Sequence, residues 1–166
     1  MAERRLVLVR HGATAWTAQH RLLGWTDLPL SADGEAQARA LRGRLHGPFD
    51  RVYSSDLERA RRTAALAWGL ARPEPRLREI HFGAWEGADW FALPEDARQA
   101  LLRFDDFAAP GGESTRDLVR RVLAFVEELP PGCHLLFTHG GVVRALLRAC
   151  GEDAFPAPCE VREIAL

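Results

Sequence analysis

The chain has 166 residues, with 22 basic and 23 acidic side chains and a net charge of -1. Hydrophobic residues make up 47% and charged residues 27%, the balance of a folded chain that buries a core without disulfide or metal support. This composition excludes a disordered chain. It gives no global charge for binding nucleic acid or an anionic membrane, so any anion site must be local. The length predicts a single domain over residues 1–166.

The sequence also argues against a membrane or secreted protein and against a disulfide or zinc site. No apolar run approaches the roughly 18 residues of a membrane span, and the first residues lead into a strand-like run without a secretory leader. The three cysteines lack C-x-x-C spacing, which argues against a disulfide frame and against a zinc site. We therefore expect a cytoplasmic protein that needs no metal or other cofactor and binds neither nucleic acid nor membrane. A homodimer is compatible with the sequence.

Lysine and asparagine are both absent from the chain, so every basic residue is an arginine. This usage fits a GC-rich genome and also a thermophilic source, and composition does not separate the two. The absence of lysine has a direct chemical consequence, because it excludes a lysine nucleophile or a Schiff base.

The hydrophobic pattern predicts strands that alternate with helices. In chain order the predicted elements are a strand over 5–9, a helix over 31–45, a strand over 51–54, a helix over 55–70, a strand over 77–80, a helix over 114–129, a strand over 133–137, a helix over 141–150 and a strand over 161–166. Ser31 is a candidate N-cap, and Ser55 and Ser114 each begin a capping box. This order favours an α/β fold with a largely parallel central sheet.

Polar segments stand at three equivalent places of this predicted fold. Arg10-His11-Gly12 follows the first strand, Arg59 lies in the first turn of the helix after the second strand, and Thr138-His139-Gly140-Gly141 joins a later strand to its helix. Ligands of open α/β sheets bind outside the carboxyl ends of the strands, so the three segments can meet in one crevice. Two guanidinium groups, two imidazoles and the bare backbone at Gly140 suit a tetrahedral oxyanion. The sequence therefore predicts a phosphate pocket.

The residues of this pocket indicate its chemistry. A pocket of arginine and histidine, in a chain with no P-loop lysine, no paired-aspartate metal site and no C-x5-R loop, favours metal-independent phosphoryl transfer to a histidine. The attacking imidazole must be neutral, and neighbouring cations would hold its pKa down. The leaving alkoxide needs a proton. Glu79 and Glu86 are the candidate donors, because a carboxyl among aromatic side chains can have a raised pKa.

These motifs resemble those of the histidine phosphatase superfamily, also called phosphoglycerate mutase-like. The matching stretches, in the same order, are 8–14, 54–64, 82–87, 110–114 and 138–141. The resemblance implies a three-layer α/β/α sandwich with a central, mostly parallel sheet, and a phosphohistidine intermediate. It places the nucleophile on His11, phosphate binding on Arg10, Arg59 and His139, and the acid/base role on Glu79.

Two positions depart from the pattern of the family. Ala13 stands where Glu or Gln often follows R-H-G, and Thr17 stands where asparagine is often found. The hydroxyl of Thr17 can still hydrogen-bond a phosphate oxygen, so Thr17 is kept as a candidate substrate ligand. Some of the tryptophans beside the motifs are expected at the substrate entrance, where they would stack on an aromatic leaving group. They are Trp16, Trp25, Trp85 and Trp90.

Hydrolysis and mutase activity are both open to a protein of this kind. A mutase must shield its phosphoenzyme from water, which usually needs closing segments over the site. Only a modest stretch separates Glu86 from Gly111, and the chain ends soon after the last predicted strand. We therefore expect a phosphomonoesterase acting on a small-molecule phosphate monoester, and the resemblance suggests α-ribazole 5′-phosphate as one substrate. The alternatives are a bisphosphoglycerate-dependent phosphoglycerate mutase and a non-catalytic phosphate-binding module.

Overall fold

The computed structural model describes residues 3–166, and in them a five-stranded sheet forms the centre of the molecule. The strands lie in the order β3-β2-β4-β1-β5, with bounds β1 Arg4–Arg10, β2 Arg51–Ser54, β3 Arg72–Pro73, β4 Gly132–Thr138 and β5 Val161–Ala165. Strands β1 to β4 pair in parallel, whereas β5 pairs with β1 in the antiparallel direction. The prediction of a mostly parallel sheet is confirmed.

Helices cover both faces of this sheet. They are α1 Ala15–Ala18, α2 Ala32–Ala40, α3 Glu58–Ala67, α4 Glu95–Arg103, α5 Thr115–Glu128 and α6 Gly140–Ala149. The pair α2 and α3 packs on one face and the pair α5 and α6 on the other, which gives the predicted three-layer α/β/α sandwich. Within residues 3–166, no helix is both long and apolar enough to cross a bilayer.

The continuous apolar run of β1 is buried on both faces because a helix layer lies on each side of the sheet. Leu6 and Leu8 pack with α5 and α6, while Val7 and Val9 pack with α2 and α3. Strand β4 lies beside β1 in parallel register. The carboxyl ends of these two central strands therefore stand side by side at one edge of the sheet.

The predicted strand over 77–80 is wrong. Residues Pro75–Leu77 form a single 3-10 turn, and the chain after them is not paired into the sheet. Leu77 and Ile80 are nevertheless buried in the core, so their apolar character reflects packing and not a strand. A short apolar run in the sequence does not distinguish a buried strand from another buried segment. Helix α4 was not predicted, because its N-cap residue, Pro94, provides no side-chain cap.

Of the three serines predicted at helix starts, two are N-caps in the structure and one is not. Ser31 and Ser114 are N-caps, and their hydroxyls accept hydrogen bonds from backbone amides of α2 and α5. The capping box predicted at Ser114 is only half formed, because among residues 3–166 the side chain of Asp117 makes no return bond to the amide of Ser114. The capping box predicted at Ser55 is wrong, because α3 begins three residues later with Leu57 as its N-cap. The amide of Glu58 instead donates to the carboxylate of Asp27, at 2.8 Å. The hydroxyl of Ser55 is thereby left for another contact, described below.

Gly34 fixes how the first turn of α2 packs against the loop after β1. A Cβ atom at Gly34 would collide with the backbone carbonyl of Ala13. We expect Gly34→Ala to lower the free energy of unfolding by about 1–3 kcal/mol, because overpacking forces the backbone to shift. Ala36→Ser, at an exposed position of the same helix, is the control and should change it by no more than about 0.5 kcal/mol. Urea denaturation followed by tryptophan fluorescence measures both, and an unchanged midpoint in Gly34→Ala would contradict the close approach.

Candidate active site

The two motif histidines lie next to each other at the carboxyl ends of the central strands. Arg10 and Thr138 are paired in the β1–β4 register, so His11 and His139 follow at equivalent positions. Their ring centroids are 5.1 Å apart in an edge-to-face arrangement, and both side chains are buried. The structure thus brings together two imidazoles that are far apart in the chain.

The ring of His11 is held in one orientation. Its Nδ1 lies 2.7 Å from the carbonyl oxygen of Gly12. A carbonyl only accepts, so Nδ1 carries the proton and Nε2 keeps its lone pair. The Nε group of Arg59 donates to this Nε2 at 3.3 Å. Burial, followed by the charges of Arg59 and Arg10, lowers the pKa of His11 well below its ordinary value, so the ring is neutral and nucleophilic at neutral pH.

Arg59 is fully buried and is held by main-chain oxygens. Its Nη1 donates to the carbonyl of Thr26 at 3.0 Å, and its Nη2 donates to the carbonyl of Gly24 at 2.6 Å. Burial lowers the pKa of Arg59 to about 10, so the guanidinium remains cationic at neutral pH. A fixed positive charge therefore stands against the unprotonated Nε2 of His11.

Glu86 holds the loop that grips Arg59. Its carboxylate accepts hydrogen bonds from the amides of Gly24 and Trp25, at 3.0 Å and 2.6 Å, and from the hydroxyl of Thr26 at 3.1 Å. Both oxygens of the Glu86 carboxyl group are therefore occupied by donors of the 24–26 loop. Of the two carboxyls considered as the acid, Glu86 is thus engaged as a positioning group for the 24–26 loop.

We expect Glu86→Gln to lower kcat/KM about tenfold, because an amide NH₂ would face donors that the carboxylate now accepts from. The loss should fall mainly on KM, since the loosened 24–26 loop no longer fixes Arg59 for binding phosphate. Glu35→Gln, which removes ion pairs on α2, is the control and should leave both constants unchanged. Steady-state kinetics over a pH series measures the effect. A changed pH profile would indicate that Glu86 acts as the acid.

His139 presents a donor beside His11. Its Nε2 lies 2.8 Å from the hydroxyl of Ser55, and that hydroxyl already accepts from the amide of Leu57 at 3.3 Å. The hydroxyl can donate its proton to Nε2, and in that tautomer the ring proton of His139 lies on Nδ1. This Nδ1 is buried and has no hydrogen-bond partner among residues 3–166. Burial, with the charge of Arg59, lowers the pKa of His139 well below its ordinary value.

Arg10 supplies a second buried donor without a partner. Its Nη1 donates to the carbonyl of Pro156 at 2.7 Å, and its guanidinium lies over the ring of Phe155, 4.9 Å from the ring centre. Its Nε, like Nδ1 of His139, finds no partner in the described part of the chain. Buried donors are normally satisfied, and the oxygens of a phosphate group would satisfy both.

Glu79 is buried against the start of α6. One carboxyl oxygen accepts from the amide of Ile80 at 2.8 Å and the other from the amide of Gly141 at 3.0 Å. A Cβ atom at Gly141 would collide with this carboxyl, so glycine is needed for the approach. Burial raises the pKa of Glu79 in spite of these hydrogen bonds and of the charge of Arg59. A carboxyl that holds its proton to higher pH is suited to general acid catalysis.

The remaining predicted ligands lie at the two helix starts. Gly140 is the first residue of α6, and a Cβ atom there would collide with the ring of Phe155. Thr17 lies in α1. Its hydroxyl accepts from the amide of Thr14 at 2.8 Å and donates to the carbonyl oxygen of Thr14 at 3.1 Å. Within the described residues no hydrogen bond joins Thr17 to the arginines or histidines of the site. Its role as a phosphate ligand therefore stays a prediction.

Three contributors to the site were not predicted. The hydroxyl of Ser55 hydrogen-bonds Nε2 of His139, and the hydroxyl of Thr63 accepts from the amide of Gly12 at 3.1 Å. Phe155 lies under Arg10. Ser55 lies within a matching stretch, but its sequence environment is also that of a helix cap. Among residues 3–166 no group of three or more histidine, cysteine or carboxylate side chains is arranged to hold a metal ion.

Two known proteins that are similar to this chain are named as phosphoglycerate mutases. A 2,3-bisphosphoglycerate-dependent phosphoglycerate mutase of Xanthobacter autotrophicus is 34% identical, over 89% of this chain and 81% of the relative. A probable phosphoglycerate mutase of Salmonella choleraesuis is 40% identical, over 82% of this chain and 69% of the relative.

Solved structures and a family model agree with these relatives. A phosphoglycerate mutase from Thermus thermophilus superposes with a TM-score of 0.92 at 55% identity, over 96% of this chain and 92% of the other. A mycobacterial glucosyl-3-phosphoglycerate phosphatase gives a TM-score of 0.82 at 29% identity, over 98% of this chain and 90% of the other. The model of the histidine phosphatase superfamily (branch 1) matches residues 6–157. The chain, with His11 and His139 side by side at the carboxyl ends of β1 and β4, belongs to the histidine phosphatase superfamily.

Proposed function

We propose that this enzyme is a metal-independent phosphomonoesterase that hydrolyses a small-molecule phosphate ester through a phosphohistidine on His11. The observation that carries the proposal is the orientation of His11. Its Nδ1 donates to the carbonyl of Gly12, and its unprotonated Nε2 faces Arg59, which donates to it at 3.3 Å. A neutral, oriented imidazole among fixed cations has the properties of a nucleophile for phosphorus.

The proposed reaction has two steps. In the first, Nε2 of His11 attacks phosphorus, the bond to the ester oxygen breaks, and Glu79 gives its proton to the leaving alkoxide. In the second, water attacks the phosphorus of the phosphohistidine, the ionised Glu79 takes a proton from that water, and the P–N bond breaks to release inorganic phosphate. Arg10, Arg59 and His139 bind the phosphoryl oxygens in both steps.

Phosphoglycerate mutase is the second candidate, because the relatives with that name cover most of this chain. Hydrolysis is favoured by the stretch between Glu86 and Gly111, which forms only a short 3-10 turn and the nine residues of α4. A mutase usually closes segments over its phosphoenzyme to keep water out. A phosphatase of the same fold, similar over 98% of this chain, is consistent with hydrolysis.

The two candidates are separated by the fate of the phosphoryl group. The purified protein is incubated with a panel of phosphate monoesters: p-nitrophenyl phosphate, α-ribazole 5′-phosphate, sugar phosphates, and 3-phosphoglycerate with and without 2,3-bisphosphoglycerate. Phosphate release and formation of 2-phosphoglycerate are measured in the same samples, with and without a chelator.

We expect phosphate release that a chelator does not reduce and that exceeds isomerisation of 3-phosphoglycerate. Interconversion that depends on 2,3-bisphosphoglycerate and exceeds hydrolysis would establish the mutase instead. Phosphate binding without turnover of any ester would indicate the non-catalytic module. The leaving group that gives the highest kcat/KM identifies the substrate, with α-ribazole 5′-phosphate as the specific proposal from the resemblance.

A further inference from the structure

Two exposed aromatic side chains contact the catalytic residues. Phe155 is 60% exposed, although the end of its ring meets the backbone of Gly140 and one ring face lies against the guanidinium of Arg10. Trp25 is 37% exposed, and its indole N–H donates to the carbonyl of Glu79 at 2.8 Å. One ring therefore contacts a phosphate-binding arginine and the other contacts the proposed acid.

Both rings are held in place. The ring of Trp25 packs edge-to-face with His81 at 4.7 Å between centroids, and the guanidinium of Arg78 lies 4.8 Å from its centre. Phe155 is fixed by Arg10 and by the start of α6. Large apolar surfaces that face solvent but are already ordered lose little entropy on binding a flat ligand, and they bind aromatic rings well.

The cations that contact these rings are already engaged. Arg78 forms a bidentate ion pair with Asp56, with both distances at 2.7 Å. Arg10 donates to the carbonyl of Pro156 and carries a buried Nε for the phosphate itself. The exposed carboxylate of Asp27 accepts from the amide of Glu58, and its negative charge acts on Arg59. A carboxylate on the leaving group would have to compete with Asp56 for Arg78 and with the phosphate for Arg10.

We propose that Phe155 and Trp25 form a leaving-group subsite that selects phosphate esters of an uncharged alcohol bearing an aromatic ring. The inference rests on the proposed function, since it assigns the part of the substrate that departs when His11 takes the phosphoryl group. Phe155 binds the aromatic ring next to the ester oxygen. The paired and acidic groups around Trp25 disfavour anionic alcohols such as glycerates.

Three phosphonates that cannot be hydrolysed test this subsite: propylphosphonate, 3-phenylpropylphosphonate and 4-phosphonobutyrate. They share the phosphoryl group and the three-carbon chain, and differ only in a terminal hydrogen, phenyl ring or carboxylate. Calorimetric titration gives the dissociation constants. We expect the phenyl compound to bind about tenfold tighter than propylphosphonate, the gain of stacking a ring on an ordered aromatic, and the carboxylate compound to bind more weakly than propylphosphonate.

Variants assign the preference to Phe155. In Phe155→Ala the phenyl advantage should fall to about twofold or less, whereas Phe155→Tyr should keep it because the ring remains. Each variant is judged by the ratio of the dissociation constants of propylphosphonate and 3-phenylpropylphosphonate. Any weakening of phosphoryl binding by Arg10 affects both constants alike and cancels in that ratio. Leu70→Ala is the matched control, because Leu70 is 97% exposed but lies at the amino end of β3, away from the carboxyl ends of the strands.

The outcomes separate this inference from the proposed function. A phenyl advantage that survives in Phe155→Ala, or tighter binding of 4-phosphonobutyrate than of the phenyl compound, overturns the subsite. A phenyl advantage that depends on Phe155, in a protein that hydrolyses no ester in the panel, supports the subsite while the proposed function fails.

Discussion

Replacing His11 with alanine should lower kcat for every phosphate ester by about 10⁵-fold, because no other group in the site supplies the attacking lone pair. The wild-type enzyme, quenched during turnover of a labelled ester, should retain label that is lost in acid and kept in base, the stability of a phosphohistidine. In His11→Ala this label should be absent. His11→Gln, which fills more of the same space, should be equally inactive.

His46→Gln is the control for this experiment, because His46 is an exposed histidine outside the matching motifs. It should retain full activity and full labelling. Circular dichroism and thermal unfolding of the His11 variants separate loss of the nucleophile from loss of the fold. Full activity in His11→Ala, or label retained on another residue, would overturn the assignment of the nucleophile.

Replacing Glu79 with glutamine should have an effect that depends on the leaving group. For an alkyl phosphate, kcat should fall about 10³-fold, because the alkoxide then leaves without a proton. For p-nitrophenyl phosphate the first step needs no acid, since nitrophenolate is a stable anion. The second step still needs Glu79 to take a proton from water. Rapid mixing should therefore show a burst of nitrophenolate close to one equivalent of enzyme, followed by slow turnover.

The pH profile gives a second measurement on Glu79. Burial raises the pKa of Glu79 and lowers the pKa of His11. Hydrolysis of an alkyl ester needs His11 deprotonated and Glu79 protonated. Activity should thus rise with pH through the low pKa of the histidine and fall as pH increases through the raised pKa of the carboxyl. Glu79→Gln should lose the alkaline limb, and Glu86→Gln should keep it. An alkaline limb that persists in Glu79→Gln would assign the acid elsewhere.

The parts of the fold and site that were predictable are those set by local pattern. The apolar runs of β1 and β4 and the polar residues that follow them place His11 and His139 at the same edge of the sheet. Strand order alone then brings the two rings together. This step needs only the rule that parallel strands share their carboxyl edge.

The parts that were not predictable are set by tertiary contacts. Ser55 has the sequence environment of a helix cap, yet its hydroxyl binds a histidine 84 positions later in the chain. Leu77 and Ile80 are apolar because they fill the core and not because they form a strand. Phe155 lies outside the matching stretches, and only the path of the chain after α6 brings it under Arg10.

The way Arg59 is held has a consequence for how this protein can evolve. Its guanidinium is fully buried, and carbonyl oxygens hold it in place of a carboxylate partner. Desolvation of this cation weakens the native state, and the same positive charge attracts the substrate dianion. Thermal robustness and turnover are thus opposed at one side chain. A lineage selected only for heat resistance would be drawn toward an apolar residue at this position, and would lose its chemistry in doing so.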